Sequence, residues 1–273
     1  MIDPNLKLTV LHDDDSVFTE HTNYMVDYLS NPVTLTLTTA DYLYFGYKKP
    51  FNATYFEFNT PSVNPAGMLV EYYDGTSWVS ADYHDETDGL VRSGLVTWDK
   101  SSMSEVSVNS ISKYYVRISL DVDSSAMIIN GANIVFSEDA DLKQEFFEIS
   151  DPDFLPAGFS SHIPKHVAAR NEIMQLLKNR GNQVGTTTQE DINPFDLHDV
   201  FQVRQAATYL TLSKIFFQLS DNVEDHWFRK FEEYNKKYNS AISLYSFDYD
   251  SDGDGQESTQ ENSNKYKVVR LNR

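Results

Sequence analysis

The chain has no cysteine. Disulfides, thiolate nucleophiles and Cys-ligated zinc are therefore excluded, and stability has to come from packing or from association with other chains. Positive charge is also scarce. Twenty-two Lys and Arg stand against 41 Asp and Glu, a formal net charge of −19. That balance repels nucleic-acid phosphates and gives no footing for DNA binding, although it suits a wall past which DNA slides without sticking. Long apolar runs are missing: the densest, Tyr209–Leu219, is interrupted by Lys214 and falls short of a membrane span. The opening Met-Ile-Asp-Pro-Asn-Leu-Lys lacks a basic region followed by an apolar run. It does not read as a secretory leader, and folding in a reducing cytoplasm is expected. A Gly-rich phosphate loop, a G-x-S-x-G elbow and an HExxH helix are absent as well, so no enzyme is expected.

What is present suffices for packed cores. The chain has 273 residues, enough for one large domain or two ordinary ones. It is 40% hydrophobic, with 17 Tyr, 17 Phe and 3 Trp, and 23% charged, the composition of a globular rather than a disordered protein.

Residues 1–147 read as β structure. Runs such as Val33–Thr39, Tyr55–Phe58, Met68–Tyr73, Tyr114–Leu120 and Asn133–Phe136 are rich in Thr, Tyr, Val and Phe. Between them lie the turn dipeptides Asp74-Gly75, Asp88-Gly89, Ser93-Gly94 and Asn130-Gly131. In Tyr114–Leu120 the residues Tyr114, Val116, Ile118 and Leu120 share one face, the period of a half-buried strand. Such strands without helices between them favour an antiparallel sandwich. Residues 148–162, with two Pro and one Gly, form a linker. A helical domain follows over 163–247. Its first helix starts near Pro164 and ends at Gly181. Its second is capped by Asn193, starts at Pro194, runs to about Leu219 and is apolar enough to be central. Its third starts near Asp225 and sets Trp227, Phe231, Tyr234, Tyr238, Ala241 and Tyr245 in one stripe. Residues 248–273 form an extended arm with an acidic loop. The expected fold class is thus α+β and multidomain: an antiparallel β-sandwich, then an α-helical bundle and tail.

Candidate sites are few. Asp250, Asp252 and Asp254, with Gly255 and then Glu261, fit the spacing of a calcium loop with oxygens at positions 1, 3, 5 and 12. Against it, Glu257 stands where such loops carry an aliphatic residue, and no helix follows. An alternative register uses Asp248, Asp250 and Asp252, and the bland alternative is a solvated acidic turn. No other cofactor is expected. His162 and His166 are four apart, but Pro164 lies between them and no zincin Glu completes a metal motif. His12-Asp13-Asp14-Asp15 reads as a solvated charge run. Trp78, on the hairpin Tyr72–Val79, could stack on a sugar ring or fill the end of a sandwich. In the tail, Lys265, Lys267 and Arg270 alternate with Tyr266, Val268, Val269 and Leu271, a strand-like segment suited to adding to a partner's sheet edge.

Two resemblances follow from particular stretches. Asp41-Tyr-Leu-Tyr-Phe-Gly46, Lys49-Pro-Phe51, Tyr72-Tyr-Asp-Gly-Thr-Ser-Trp78, Asp85-Glu-Thr-Asp-Gly89, Ser93-Gly94 and Tyr114-Tyr-Val-Arg-Ile118 resemble a β-sandwich module of tailed-bacteriophage structural proteins. His166-Val-Ala-Ala-Arg170, Phe195-Asp-Leu-His-Asp199, Arg204-Gln-Ala-Ala207 and the aromatic third helix resemble the helical head-to-tail adaptor proteins of the phage neck. The long N-terminal part departs from the minimal adaptor, which is often the helical domain alone. The resemblance implies a non-enzymatic virion protein at the head–tail junction, assembled in the host cytoplasm. It implies a homo-oligomeric ring, commonly twelve-fold, between the portal and a downstream head-closure or tail protein. Genomic DNA would pass through without specific binding, and no membrane is involved. The tail, Lys265–Leu271 above all, would be the partner-binding segment. The alternative expectation is a carbohydrate-binding or adhesion module of a tail or baseplate.

Overall fold

A computed structural model describes residues 8–28, 31–100, 102–185, 190–244 and 247–254. It is an α+β structure, with antiparallel sheets followed by helices. By internal contact the chain divides into two compact units, Met1–Val135 and Phe136–Arg273.

The first unit contains strands β1 (Thr9–Asp14), β2 (Val17–Glu20), β3 (Val33–Leu35), β4 (Tyr42–Tyr47), β5 (Ala53–Thr60), β6 (Met68–Tyr73), β7 (Trp78–Ser80), β8 (Tyr83–Asp85), β9 (Gly94–Trp98), β10 (Glu105–Val108), β11 (Ile111–Leu120) and β12 (Met127–Ala132), with a short helix α1 (Thr22–Met25). One sheet runs in the order β2-β1-β4-β11-β6-β7, with β10 also on β11. The other runs β3-β12-β5-β9-β8. Alternation decides which side chains meet. On β4, Leu43, Phe45 and Tyr47 are buried on one face, and the Phe45 ring meets Phe56 of β5 edge-on at 5.6 Å. The core therefore draws on both sheets, with Val10, Val70, Val116 and Ile118 from one and Val96 and Ile129 from the other. Each such burial contributes about 1.5–3 kcal/mol. β1 turns into β2 through Asp15 and Ser16, both at positive φ (48° and 71°), the two-residue hairpin turn that matches strand twist.

Two sequence expectations are corrected here. Asn133–Phe136 is not a strand; pairing ends at Ala132. Asn130-Gly131 is not the turn before it but lies inside β12, where the register with β5 shifts. Gly131 is needed because a Cβ there would come 2.3 Å from the Tyr28 ring.

The second unit contains α2 (Asp139–Glu145), α3 (Ile163–Asn179), the antiparallel pair of two-residue strands β13 (Gln183–Val184) and β14 (Glu190–Asp191), α4 (Arg204–Leu219) and α5 (His226–Leu244). The sequence reading had run the β region to 147. Residues 139–145 instead form a helix whose Leu142 packs with Ile149, Leu212, Ile215, Phe216 and Tyr234. The second helix starts at Arg204, not Pro194. Asn193 does cap, accepting from Phe195 N–H at 2.9 Å, but Pro194–Asp196 and Val200–Val203 close as separate 3-10 turns, the latter capped by Asp199. α3 stops where expected, with Gly181 at φ 81°. α4 packs against α2, α3 and α5 and is central to the unit. On α5, Tyr234, Tyr238 and Ala241 are buried and Trp227 and Phe231 partly so; Tyr245 lies outside the described residues.

Candidate functional site

The helical unit carries an open apolar groove of about 880 Å³. Its floor is Leu210, Lys214 and Phe217 of α4; its walls include Lys165 of α3 and Phe228 and Phe231 of α5, with Val223 on the loop between α4 and α5. Phe217 is 58% exposed and Val223 70% exposed. Phe231 touches both Phe217 (centroids 5.1 Å) and Phe228 (5.4 Å), so the aromatic lining is one connected surface. Lys214 pairs with Glu172 at 2.5 Å. Lys165 makes no ion pair among the described residues, and burial, reinforced by the charge of Lys214, pushes its amine below the usual lysine range. No motif pointed to this groove. Leu210 and Phe231 sit where a helical pattern predicts core, whereas Phe228 lies off the aromatic stripe and Val223 on a loop.

The structure brings three of the four candidate calcium ligands together. Oxygens of Asp250, Asp252 and Asp254 lie within 4.8 Å of one another. Asp250 is buried and accepts from Gly253 N–H at 2.6 Å, with Gly253 at φ 82°. The converging set follows the first register, not the one beginning at Asp248. The loop is stitched down by Asp250 N–H to the Asp196 carbonyl, by Gly185 N–H to the Ser251 carbonyl (both 2.8 Å) and by an antiparallel bridge between Leu197 and Tyr249. Three carboxylates make a donor set for a hard cation such as calcium, about half of the 6–8 oxygens it takes. Glu261 lies outside the described residues, as do all the tail candidates: Lys265, Tyr266, Lys267, Val268, Val269, Arg270 and Leu271.

His162 and His166 do not converge on a metal position. The His166 ring lies 2.8 Å from Ser137 Oγ through Nδ1 and 3.0 Å from Asp139 Oδ1 through Nε2. His162 Nε2 lies 3.1 Å from the Ile149 carbonyl, and its backbone N–H donates to Asp139. Burial raises the Asp139 carboxyl, but the hydrogen bond and charge of His166 outweigh it and hold the group below its ordinary value. Ser137, His166 and Asp139 are the residue types of a hydrolase triad, yet Ser137 and His166 are both buried, so no substrate carbonyl reaches the hydroxyl. The network joins α2 to α3. Sequence reasoning missed it because 29 residues separate its serine from its histidine.

In the first unit, His12 is buried with Nε2 3.5 Å from Asp41, while Asp13 accepts from Ser16 in the hairpin turn. Trp78 is not a bare platform. Tyr44 and Tyr73 meet it edge-on at 5.6 and 5.8 Å, and the Arg117 guanidinium stands 4.6 Å from its ring and 4.2 Å from that of Tyr42. Arg117 is held there by Glu71 at 2.7 Å.

No helix among the described residues is long and apolar enough to cross a membrane. No family model and no curated protein matches the chain. Among solved structures, one to which it is similar holds the CBM51-2 module in complex with GlcNAc and the INT domains of ZmpB from Clostridium perfringens. Identity is 5%, the match covers 86% of this chain and 39% of that one, and the TM-score is 0.16. A likeness at that score carries no argument.

Proposed function

We propose that this chain is a non-catalytic virion structural protein that works by docking. It forms a homo-oligomeric ring at the head–tail junction of a tailed phage, between the portal and the tail. The observation that carries the docking role is the open groove. Exposed Phe217 and Val223 beside Phe228 and Phe231 make an apolar surface that the described residues leave uncovered and open to another protein. The setting rests on the adaptor resemblance of His166–Arg170, Phe195–Asp199 and Arg204–Ala207. In this reading the two sheets are a sandwich module and the helices the ring-forming domain. The charge of −19 lets DNA pass through the ring without sticking. The tail from Lys265 to Leu271 engages the portal.

The glycan-binding alternative draws less support, because Arg117, Tyr44 and Tyr73 already crowd Trp78. Calcium at the Asp250–Asp254 loop is compatible with docking and would stiffen the start of the tail. Calorimetry with calcium on the wild type and on Asp252→Ala checks it: heat of binding in the first and none in the second is expected, and no heat in either refutes it.

The tail's role is tested by truncation after Asp254, which spares the stitched loop at 248–254. The shortened chain is expected to fold and to lose binding to the portal protein of the same virion in co-sedimentation. Undiminished binding would remove the tail from the account.

A further inference from the structure

We infer that the groove of one copy receives the segment around Phe147 of a second copy of this chain, in a head-to-tail contact. This deepens the ring reading above and rests on it.

Phe147 is the conspicuous protrusion of the helical unit. It is 76% exposed, yet it is not a loose side chain. The preceding Phe146 points inward, its ring edge-on to Phe216 at 5.1 Å and near Phe154 at 5.9 Å, and Phe147–Ser150 is a 3-10 turn closed on that anchor. An apolar side chain is thus presented on a fixed base, the kind of preorganised anchor that interfaces use. Lys143 stands over its ring with Nζ 5.5 Å from the centroid, and beyond it the chain carries three exposed carboxylates, Glu148, Asp151 and Asp153. The groove is its complement. It offers Phe217, Phe228, Phe231 and Val223; of its charged lining, Lys214 is paired with Glu172 and Asp221 lies on the loop, while Lys165 is a half-buried lysine with no ion pair among the described residues. A carboxylate from the rim of an incoming Phe147 segment would supply the partner that Lys165 lacks.

Within one copy the two surfaces lie on different faces of α4. Phe146 fixes the protrusion to the side of α4 that carries Leu212 and Phe216, while the groove is floored by Leu210 and Phe217. At about 100° of helix rotation per residue these pairs are centred roughly 130° apart, on different faces of α4. Two different patches give a heterologous contact, which closes into a ring when the rotation per subunit divides a full turn and otherwise runs on as a filament.

The test is sedimentation velocity on the full chain over a range of concentrations, with circular dichroism to confirm folding. The wild type is expected to assemble. Phe147→Ser (protrusion lost) and Val223→Asp (groove spoiled) are expected to be folded monomers, each weakened at least about tenfold. Mixed together they should form a 1:1 dimer and nothing larger, because one intact groove meets one intact protrusion. Lys165→Glu should weaken assembly, and adding Glu148→Lys should restore it. Should the wild type assemble and both single variants assemble equally well, the inference is overturned while the ring reading stands. A wild type that stays monomeric with and without portal overturns the ring reading and the inference with it.

Discussion

Tyr28 shows how single residues hold this fold. Its hydroxyl donates to the Asn133 carbonyl, and its ring lies against Gly131 in β12. Gly131→Ala puts a methyl group into that ring, so the strand or the tyrosine has to shift. A loss of about 1–3 kcal/mol is expected from urea denaturation, and an unchanged midpoint would show that the close approach is not required. His162 carries a pH dependence. It is buried, and burial pushes its pKa below the ordinary 6.5. The unfolded chain therefore takes up a proton near 6.5 and the folded chain only at lower pH. Stability is present above that value and lost as pH falls through it. His21, lowered mainly by burial and then by His12, acts in the same direction, whereas the depressed Asp139 acts only below the ordinary carboxylate value of 3.8. The melting temperature is expected to drop between about pH 7.5 and about pH 5.5, and to drop less in His162→Gln. Equal drops would mean that His162 is not among the responsible groups. None of this was legible in the sequence: Asn130-Gly131 has the composition of a turn, and only the ring 103 positions away explains the glycine.

Elements with strong periodicity were the legible ones. The stripe on α5 was read from spacing alone, and Tyr234 and Tyr238 are indeed buried. Tyr234 stacks on Phe216 at 5.5 Å and donates from its hydroxyl to the Glu145 carbonyl at 3.1 Å. Tyr234→Ala should therefore cost about 3–5 kcal/mol in chemical denaturation, and Tyr234→Phe about 1 kcal/mol. A loss under about 1 kcal/mol for the alanine would deny the stripe its core role. The elements that escaped were short. α2 has seven residues, too few for a periodic signal, and its evidence was local: Asp141 accepts the Glu138 N–H at 2.9 Å. The start of the second helix was misread for a related reason. Asn193-Pro194 is a sound opening signal, but Asp199 caps again six residues after Asn193, so the segment turns twice before Arg204 begins the helix. Arg204 then clamps Asp141 with Nε at 2.9 Å from both carboxylate oxygens, a contact across 63 residues that no local pattern announces.

At the scale of the whole molecule, a heavily acidic chain keeps two apolar features exposed, the Phe147 side chain and the groove around Phe217. The order of sheets before helices followed from turn spacing and helical periodicity. These exposed features did not, because exposure is decided by which helices pack where. The account stands or falls on assembly. Native mass spectrometry of the full-length protein, alone and mixed with the portal protein of the same virion, measures it directly. A discrete ring bound to portal with matching stoichiometry is the expected result, and a monomer indifferent to portal would contradict the account.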